Sequence, residues 1–265
     1  MSIQTLRQTF DTRSSAVNQR FEVKYIINET AAQGIIDFIH PHVIPDPQGR
    51  EYPVTSLYLD NDTMSMYWSS EMGEQNRYKL RLRSYTDAES PQVFAEVKRR
   101  LNRVILKTRV AIHSEQIEAL LAGTGITEEI VMHPQNRKAF NDLSYFRSLH
   151  DAFRAKPCTT VRYNREAYIS RDGDPLRITF DRNLCCIATR QYNHELWDQS
   201  TFWHILPQIP VILEVKFTDH YPNYVQHMIQ RFGLERTSMA KYVQCVKTLH
   251  GESIPTTPEQ EGVNP

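Results

Sequence analysis

The sequence predicts an α+β protein whose antiparallel sheet curls or closes into a barrel flanked by helices. Three observations predict it. Runs of apolar–polar alternation dominate the first and third quarters of the chain, helical periodicity falls between and after them, and two strand pairs are joined by turns short enough for hairpins. The strand–helix–strand alternation of a doubly wound parallel sheet is absent. At 265 residues the chain is long enough to bury a full core without disulfides or a structural metal.

Taken in order, residues 1–19 are polar and aperiodic and read as a flexible arm. Phe21 to Ile27 alternates as a strand, and Asn28 then caps a helix from Glu29 to His40 whose Ile35, Ile36 and Ile39 share a face. His40-Pro41-His42 ends it, because the residue before proline resists the α region. Pro53 to Asp60 is a strand, and Asp60-Asn61-Asp62 opens a short helix through Met66 and Tyr67. Strands follow over Arg77–Tyr85, Gln92–Arg99 and Arg103–Ile112, the last two joined as a hairpin, and residues 114–122 and 137–155 are helical. Thr159–Ser170 and Leu176–Arg182 form a second hairpin around Arg171-Asp172-Gly173-Asp174. Val211–Phe217 is the last strand. A helix from Pro222 to Phe232, stopped by Gly233, precedes another from Ser238 to Leu249. Residues 20–250 therefore read as one domain, and 251–265, rich in Pro and Glu, as a disordered tail.

Composition excludes several classes. The 31 Lys and Arg balance 31 Asp and Glu, so the chain is not a globally basic nucleic-acid binder. No run approaches a membrane-spanning length, and the start Met1-Ser-Ile-Gln-Thr-Leu-Arg-Gln lacks an apolar signal region, so a cytoplasmic protein is expected. Cys158, Cys185, Cys186 and Cys245 contain no C-x-x-C pair and read as small buried thiols. Asp60-Asn61-Asp62 lacks the glycine and distal glutamate of a calcium loop, and neither a Walker loop nor a G-x-S-x-G elbow occurs. His40 and His42 have no metal-ligand spacing, and Trp203-His204 sits in a proline-rich connection as packing or a rim.

Local charge carries more. From Arg77 to Arg109 ten Lys and Arg face three Asp and Glu. Side chains alternate across a strand, so Lys79, Arg81 and Arg83 share one face, while Phe94, Glu96 and Lys98 share another, as do Arg103, Ile105, Lys107 and Arg109. Tyr163 pairs with Arg165 in the same way, and Arg177 with Thr179 and Asp181. The tripeptide Glu-Val-Lys recurs at Glu22–Lys24, Glu96–Lys98 and Glu214–Lys216, each time with both charges on one face about 7 Å apart. Several rows of Lys and Arg repel one another unless an anion sits among them. Inside a barrel these faces line the lumen, where Arg forks and Lys point charges suit phosphate oxygens, and the expected guest is a polyanion with a divalent metal. The basic strands lack interleaved aromatics for base stacking, so no nucleic-acid partner is expected.

At these residues the sequence resembles the catalytic domain of the vacuolar transporter chaperone (VTC) family, the polyphosphate polymerase branch of the triphosphate tunnel metalloenzymes. The landmarks are Tyr58-Leu-Asp60, Lys79-Leu-Arg-Leu-Arg83, Glu96-Val-Lys98, Lys107-Thr-Arg109, Tyr163-Asn-Arg165, Arg177-Ile-Thr-Phe-Asp181, Leu213-Glu-Val-Lys216 and Ala240-Lys-Tyr242, in family order over nearly the whole chain. The resemblance implies a tunnel of antiparallel strands, with Lys24, Arg81, Arg83, Lys98, Lys107, Arg165, Arg177 and Lys241 as catalytic cations and Tyr163 beside the phosphates. Lys79, Arg109 and Lys216 share those strand faces and are further candidate substrate-binding groups. It implies Glu214 as the ligand of Mn2+ or Mg2+, with Glu22, Glu96 and Asp181 as further candidate carboxylates. The implied activity is transfer of the γ-phosphoryl group of ATP to a growing polyphosphate chain. Hydrolytic relatives commonly open with Glu-x-Glu-x-Lys, whereas here Arg20 holds the first position of Arg20-Phe-Glu-Val-Lys24, which suits the polymerase branch over a tripolyphosphatase or nucleoside triphosphatase. A non-catalytic polyphosphate-binding module is the remaining alternative. Eukaryotic members add a phosphate-sensing domain and membrane helices that this sequence lacks, so coupling to a membrane is expected to need a separate protein.

Overall fold

The computed structural model describes residues 20–86, 92–102, 104–123, 130–133, 135–192, 203–251 and 253–255. The expected N-terminal arm, Arg103 and the chain beyond Pro255 lie outside them. Ten strands are present among these residues: β1 (Arg20–Ile27), β2 (Val43–Pro45), β3 (Glu51–Asp60), β4 (Asn76–Ser84), β5 (Val93–Leu101), β6 (Val104–Ile112), β7 (Lys156–Ser170), β8 (Arg177–Ala188), β9 (His204–Ile205) and β10 (Val211–Thr218). Six helices accompany them: α1 (Glu29–Ile39), α2 (Ser65–Glu71), α3 (Ile117–Ala122), α4 (Arg137–Phe153), α5 (Asn223–Arg231) and α6 (Lys241–His250). The α+β expectation holds. β2 and β9 escape sequence reading because three and two residues are too few to display a period.

The strands form one antiparallel sheet in the order β1-β10-β8-β7-β3-β4-β5-β6, with β2 added beside β7 and β9 beside β8. Among the described residues β1 and β6 are not paired, so the backbone ladder stays open and the sheet curls rather than closes. Two apolar clusters cover its outer surface, and a third, which includes the cavity-lining Tyr58, Tyr163 and Tyr242, packs on the inner face. One joins β4, β5 and β6 to α3 and α4 through Leu80, Leu82, Val97, Leu143 and Phe146. A second seats α1 and α5 on β1, β8 and β10 through Ile35, Ile39, Phe180, Leu213 and Met228. The third places α2 and α6 against β3, β7 and β8 through Tyr67, Val161, Cys186 and Val246. Period-two alternation then leaves the charged residues of the same strands on the inner face.

The helix starts follow their caps. Asn28 Oδ1 accepts from the Ala31 amide at 2.7 Å, as the sequence predicts. The Asp60 carboxylate accepts from the Met66 and Tyr67 amides at 3.0 and 2.8 Å, so this aspartate caps α2 rather than binding calcium. The last helix begins later than expected. Thr237 bridges to Lys24 on the edge of β1 and Ala240 is extended, so α6 starts at Lys241 instead of Ser238. The start of the expected loose tail is held, since the Trp68 indole donates to the Pro255 carbonyl at 2.6 Å. No helix among the described residues is long and apolar enough to cross a membrane.

Candidate functional site

The curled sheet lines a partly open cavity of about 730 Å³. Lys24, Lys79, Arg81, Arg83, Lys98, Lys107, Arg109, Tyr163, Arg165, Arg177, Glu214, Lys216 and Lys241 all line it, brought from seven strands and α6. Glu22 lines it as well. Lys98 on β5 reaches Glu22 on β1 at 3.4 Å, an ion pair between strands far apart in the sheet order. The side chains therefore bridge part of what the backbone leaves open.

One wall is built around Glu214. Its Oε1 meets Lys241 Nζ at 2.8 Å and Lys24 Nζ at 3.5 Å, while its Oε2 accepts from Lys216 at 2.8 Å and from Arg165 at 3.3 Å. Arg165 forks onto Asp181 with bonds of 2.6 and 2.7 Å, and Lys241 reaches the same carboxylate at 2.6 Å. Burial alone would push the Glu214 carboxyl up, but Lys216, Lys241, Lys24 and Arg165 together hold it well below the ordinary carboxylate range. Burial works against the Lys241 ammonium too, and Asp181 and Glu214 outweigh it, raising that group. Lys241 is the first residue of its helix, where the helix dipole disfavours a cation. The two carboxylates in front of it offset that cost. A register shift between Arg162 and Asn164 falls at Tyr163, whose ring lies 5.3 Å from the Arg165 guanidinium and 4.7 Å from Lys241 Nζ.

The opposite wall, on β4, β5 and β6, has Glu96 as its carboxylate. Arg81 Nε donates to Glu96 at 2.7 Å and its Nη1 to the Tyr58 hydroxyl at 2.9 Å. Lys107 and Arg109 approach Glu96 at 2.8 and 3.6 Å. Arg83 is bonded to Ser56 Oγ at 2.9 Å, without a carboxylate within 4.0 Å among the described residues. The sequence expectation of mutually repelling bases thus needs correction. Carboxylates from other strands neutralise most of the cations, a cross-strand relation that depends on register and is invisible along one strand.

A second correction concerns aromatic surface. Tyr52 on β3 and Tyr85 just after β4 line the cavity 5.9 Å apart, with Phe94 5.8 Å beyond Tyr85. Arg109 lies over both Phe94 and Tyr85, at 3.6 and 4.9 Å, and Arg177 donates to the Tyr52 hydroxyl at 2.8 Å. Burial would raise the Tyr85 phenol, but Arg83 and Arg109 bring it down to about 8. Tyr85 continues the face of Lys79, Arg81 and Arg83, and Phe94 shares its face with Lys98, so alternation carries both; that they meet Tyr52 in one surface depends on three segments folding together and is not visible along one strand.

The donor set suits a hard cation in kind. The carboxylates of the cavity supply oxygen only, and Thr179, directly opposite Glu214 in register, has a buried hydroxyl with no hydrogen-bond partner. No group of three His, Cys, Asp or Glu is assembled among the described residues, so Glu214 would be one ligand of a set completed by phosphate oxygens and water.

The sequence profile of the VTC domain matches residues 19–250. Among solved structures, a putative adenylyl cyclase from Hippeastrum, described as having a dominant triphosphatase activity, aligns with a TM-score of 0.48 at 13% identity, over 86% of this chain and 95% of that chain. The Mediator head module of Schizosaccharomyces pombe aligns with a TM-score of 0.40 at 7% identity, over 81% and 90%.

Proposed function

Because the chain belongs to the VTC domain family, we propose that it is a polyphosphate polymerase that moves the γ-phosphoryl group of ATP onto a polyphosphate chain inside this cavity. The observation that carries the reading is the convergence of Lys and Arg from seven strands and α6 on one cavity. Phosphoryl transfer asks for in-line placement and charge neutralisation more than for covalent help. A terminal oxygen of the acceptor chain attacks the γ-phosphorus, the bond from that phosphorus to the β–γ bridging oxygen breaks, and ADP departs with the electron pair. The nucleophile is already an anion, so no residue need take a proton. Arg81, Arg83, Lys98 and Lys107 would hold the two anions in line, with Arg165, Arg177, Lys24 and Lys241 gripping the remaining phosphates. A divalent cation, Mn2+ or Mg2+, held by Glu214 and phosphate oxygens would add neutralising charge on the phosphates.

Incubation of the purified protein with ATP and Mn2+, followed by gel electrophoresis, tests the reading. Long polymer with ADP is expected. Orthophosphate without polymer would mean a tunnel hydrolase, and binding without turnover would mean a polyphosphate-holding module. A finer expectation attaches to the aromatic surface. If the nucleoside lies on Tyr52 and Tyr85, then Tyr85→Leu weakens ATP binding about fivefold, the low end of base–aromatic stacking. Tripolyphosphate binding, measured by calorimetry, should change little.

A further inference from the structure

Lys79, Lys98 and Lys107 stand directly opposite one another on β4, β5 and β6, a rung of three like charges facing the cavity. Adjacent like charges in register are unfavourable, and sheets ordinarily avoid them or interleave acids. Two of the three have a carboxylate: Lys98 has Glu22 and Lys107 has Glu96. The Lys79 ammonium has neither an ion pair nor a hydrogen bond among the described residues. Around it are Arg77 and Arg81 on its own strand, Lys24 on β1 and Lys98 on β5, every one a cation. Glu22, the nearest carboxylate on β1, is already shared by Lys24 and Lys98. Asp60 at the end of β3 is spent on Met66, Tyr67 and Tyr242.

We propose that this rung is a proton-linked seat for a multiply charged phosphate anion, in which Lys79 takes up a proton as the anion arrives. The proposal rests on the linked-phosphate reading of the cavity and adds to it how the ligand-free state tolerates its own charge. Burial, with Lys24, Lys98, Arg77 and Arg81, lowers the Lys79 ammonium to about 7. Without ligand, therefore, Lys79 sheds its charge in mildly alkaline solution and relieves the rung. A bound phosphate supplies the missing counter-charge and restores the proton. The sign for folding follows. A lysine whose native pKa lies below its unfolded value costs stability when both states are protonated, and that cost fades as pH rises between the two values.

Metal-free calorimetric titration of the full chain with tripolyphosphate tests this, at about pH 8 in two buffers of different ionisation enthalpy. The native protein is expected to take up close to one more proton per anion than Lys79→Arg, whose guanidinium is always charged. Lys79→Met should bind about tenfold more weakly, the loss of one charge-assisted contact, yet melt higher than the native protein without ligand. It should also show a smaller rise in melting temperature between neutral and alkaline pH than the native protein, the remainder coming from Lys107, which is lowered to about 8, and from Lys216, which is lowered as well. Equal proton uptake in the native protein and Lys79→Arg overturns the proposal, as does a Lys79→Met protein that melts lower and binds tripolyphosphate unchanged. Absence of tripolyphosphate binding in the native protein overturns both this proposal and the reading it rests on.

Discussion

Glu214→Gln is expected to abolish polymer synthesis and to cost the ligand-free protein roughly 3–5 kcal/mol, the range for removing one partner from a buried ion pair. The sequence resemblance implied a metal ligand. The structure makes it the anion that four cations share, with Lys241 at 2.8 Å, Lys216 at 2.8 Å, Arg165 at 3.3 Å and Lys24 at 3.5 Å. The neutral amide keeps the shape and removes the charge, leaving Asp181 and Glu22 to hold the cluster. Tripolyphosphate should raise the melting temperature of the variant more than that of the native protein, because the anion replaces the missing charge. The pH dependence has a definite sign. Since the folded-state carboxyl is depressed, its stabilisation is fully present above the ordinary carboxylate range of about 4 and is lost only as pH falls well below it. Chemical denaturation should show a constant gap between native and variant from about pH 7 to 5 that narrows only in stronger acid.

Arg81→Met carries the second large effect, a fall in kcat of about 10²–10³, comparable to removing one preorganised donor from a developing negative charge. Its guanidinium bridges Glu96 and the Tyr58 hydroxyl, which fixes it at the centre of the cationic wall. Glu96 keeps Lys107 and Arg109 after the substitution, so the fold should lose much less than with Glu214→Gln. Steady-state kinetics alongside thermal melts separate the two cases: Arg81→Met loses rate with a modest melting shift, while Glu214→Gln loses both. Arg81→Lys should recover only part of the rate, because an ammonium cannot reproduce the fork that reaches Glu96 and Tyr58 together.

How much of this was legible in the sequence depends on the range of each relation. Alternation within a strand placed Lys79, Arg81 and Arg83 on one face and Leu80 and Leu82 on the other, and Leu80 and Leu82 do fill the outer core. Turn and cap residues placed α1 and the β7–β8 hairpin. Relations between strands were beyond reach. Nothing local sets Glu96 opposite Arg81 and Arg109, or Lys79 opposite Lys98, because register belongs to the assembled sheet. Lys241 was placed inside its helix rather than at the first residue, since the extended pairing of Thr237 with β1 leaves no local mark. The aromatic surface failed for the same reason: Tyr52, Tyr85 and Phe94 meet only once three segments are folded together.

The central claim is that these cations form a single seat for phosphates joined in a chain. Calorimetry with orthophosphate, pyrophosphate and tripolyphosphate at one pH and one ionic strength tests it directly. The claim predicts one site per chain and an affinity that climbs steeply with each linked phosphate. Several weak sites, with no preference for tripolyphosphate over the same phosphate supplied as separate ions, would contradict it.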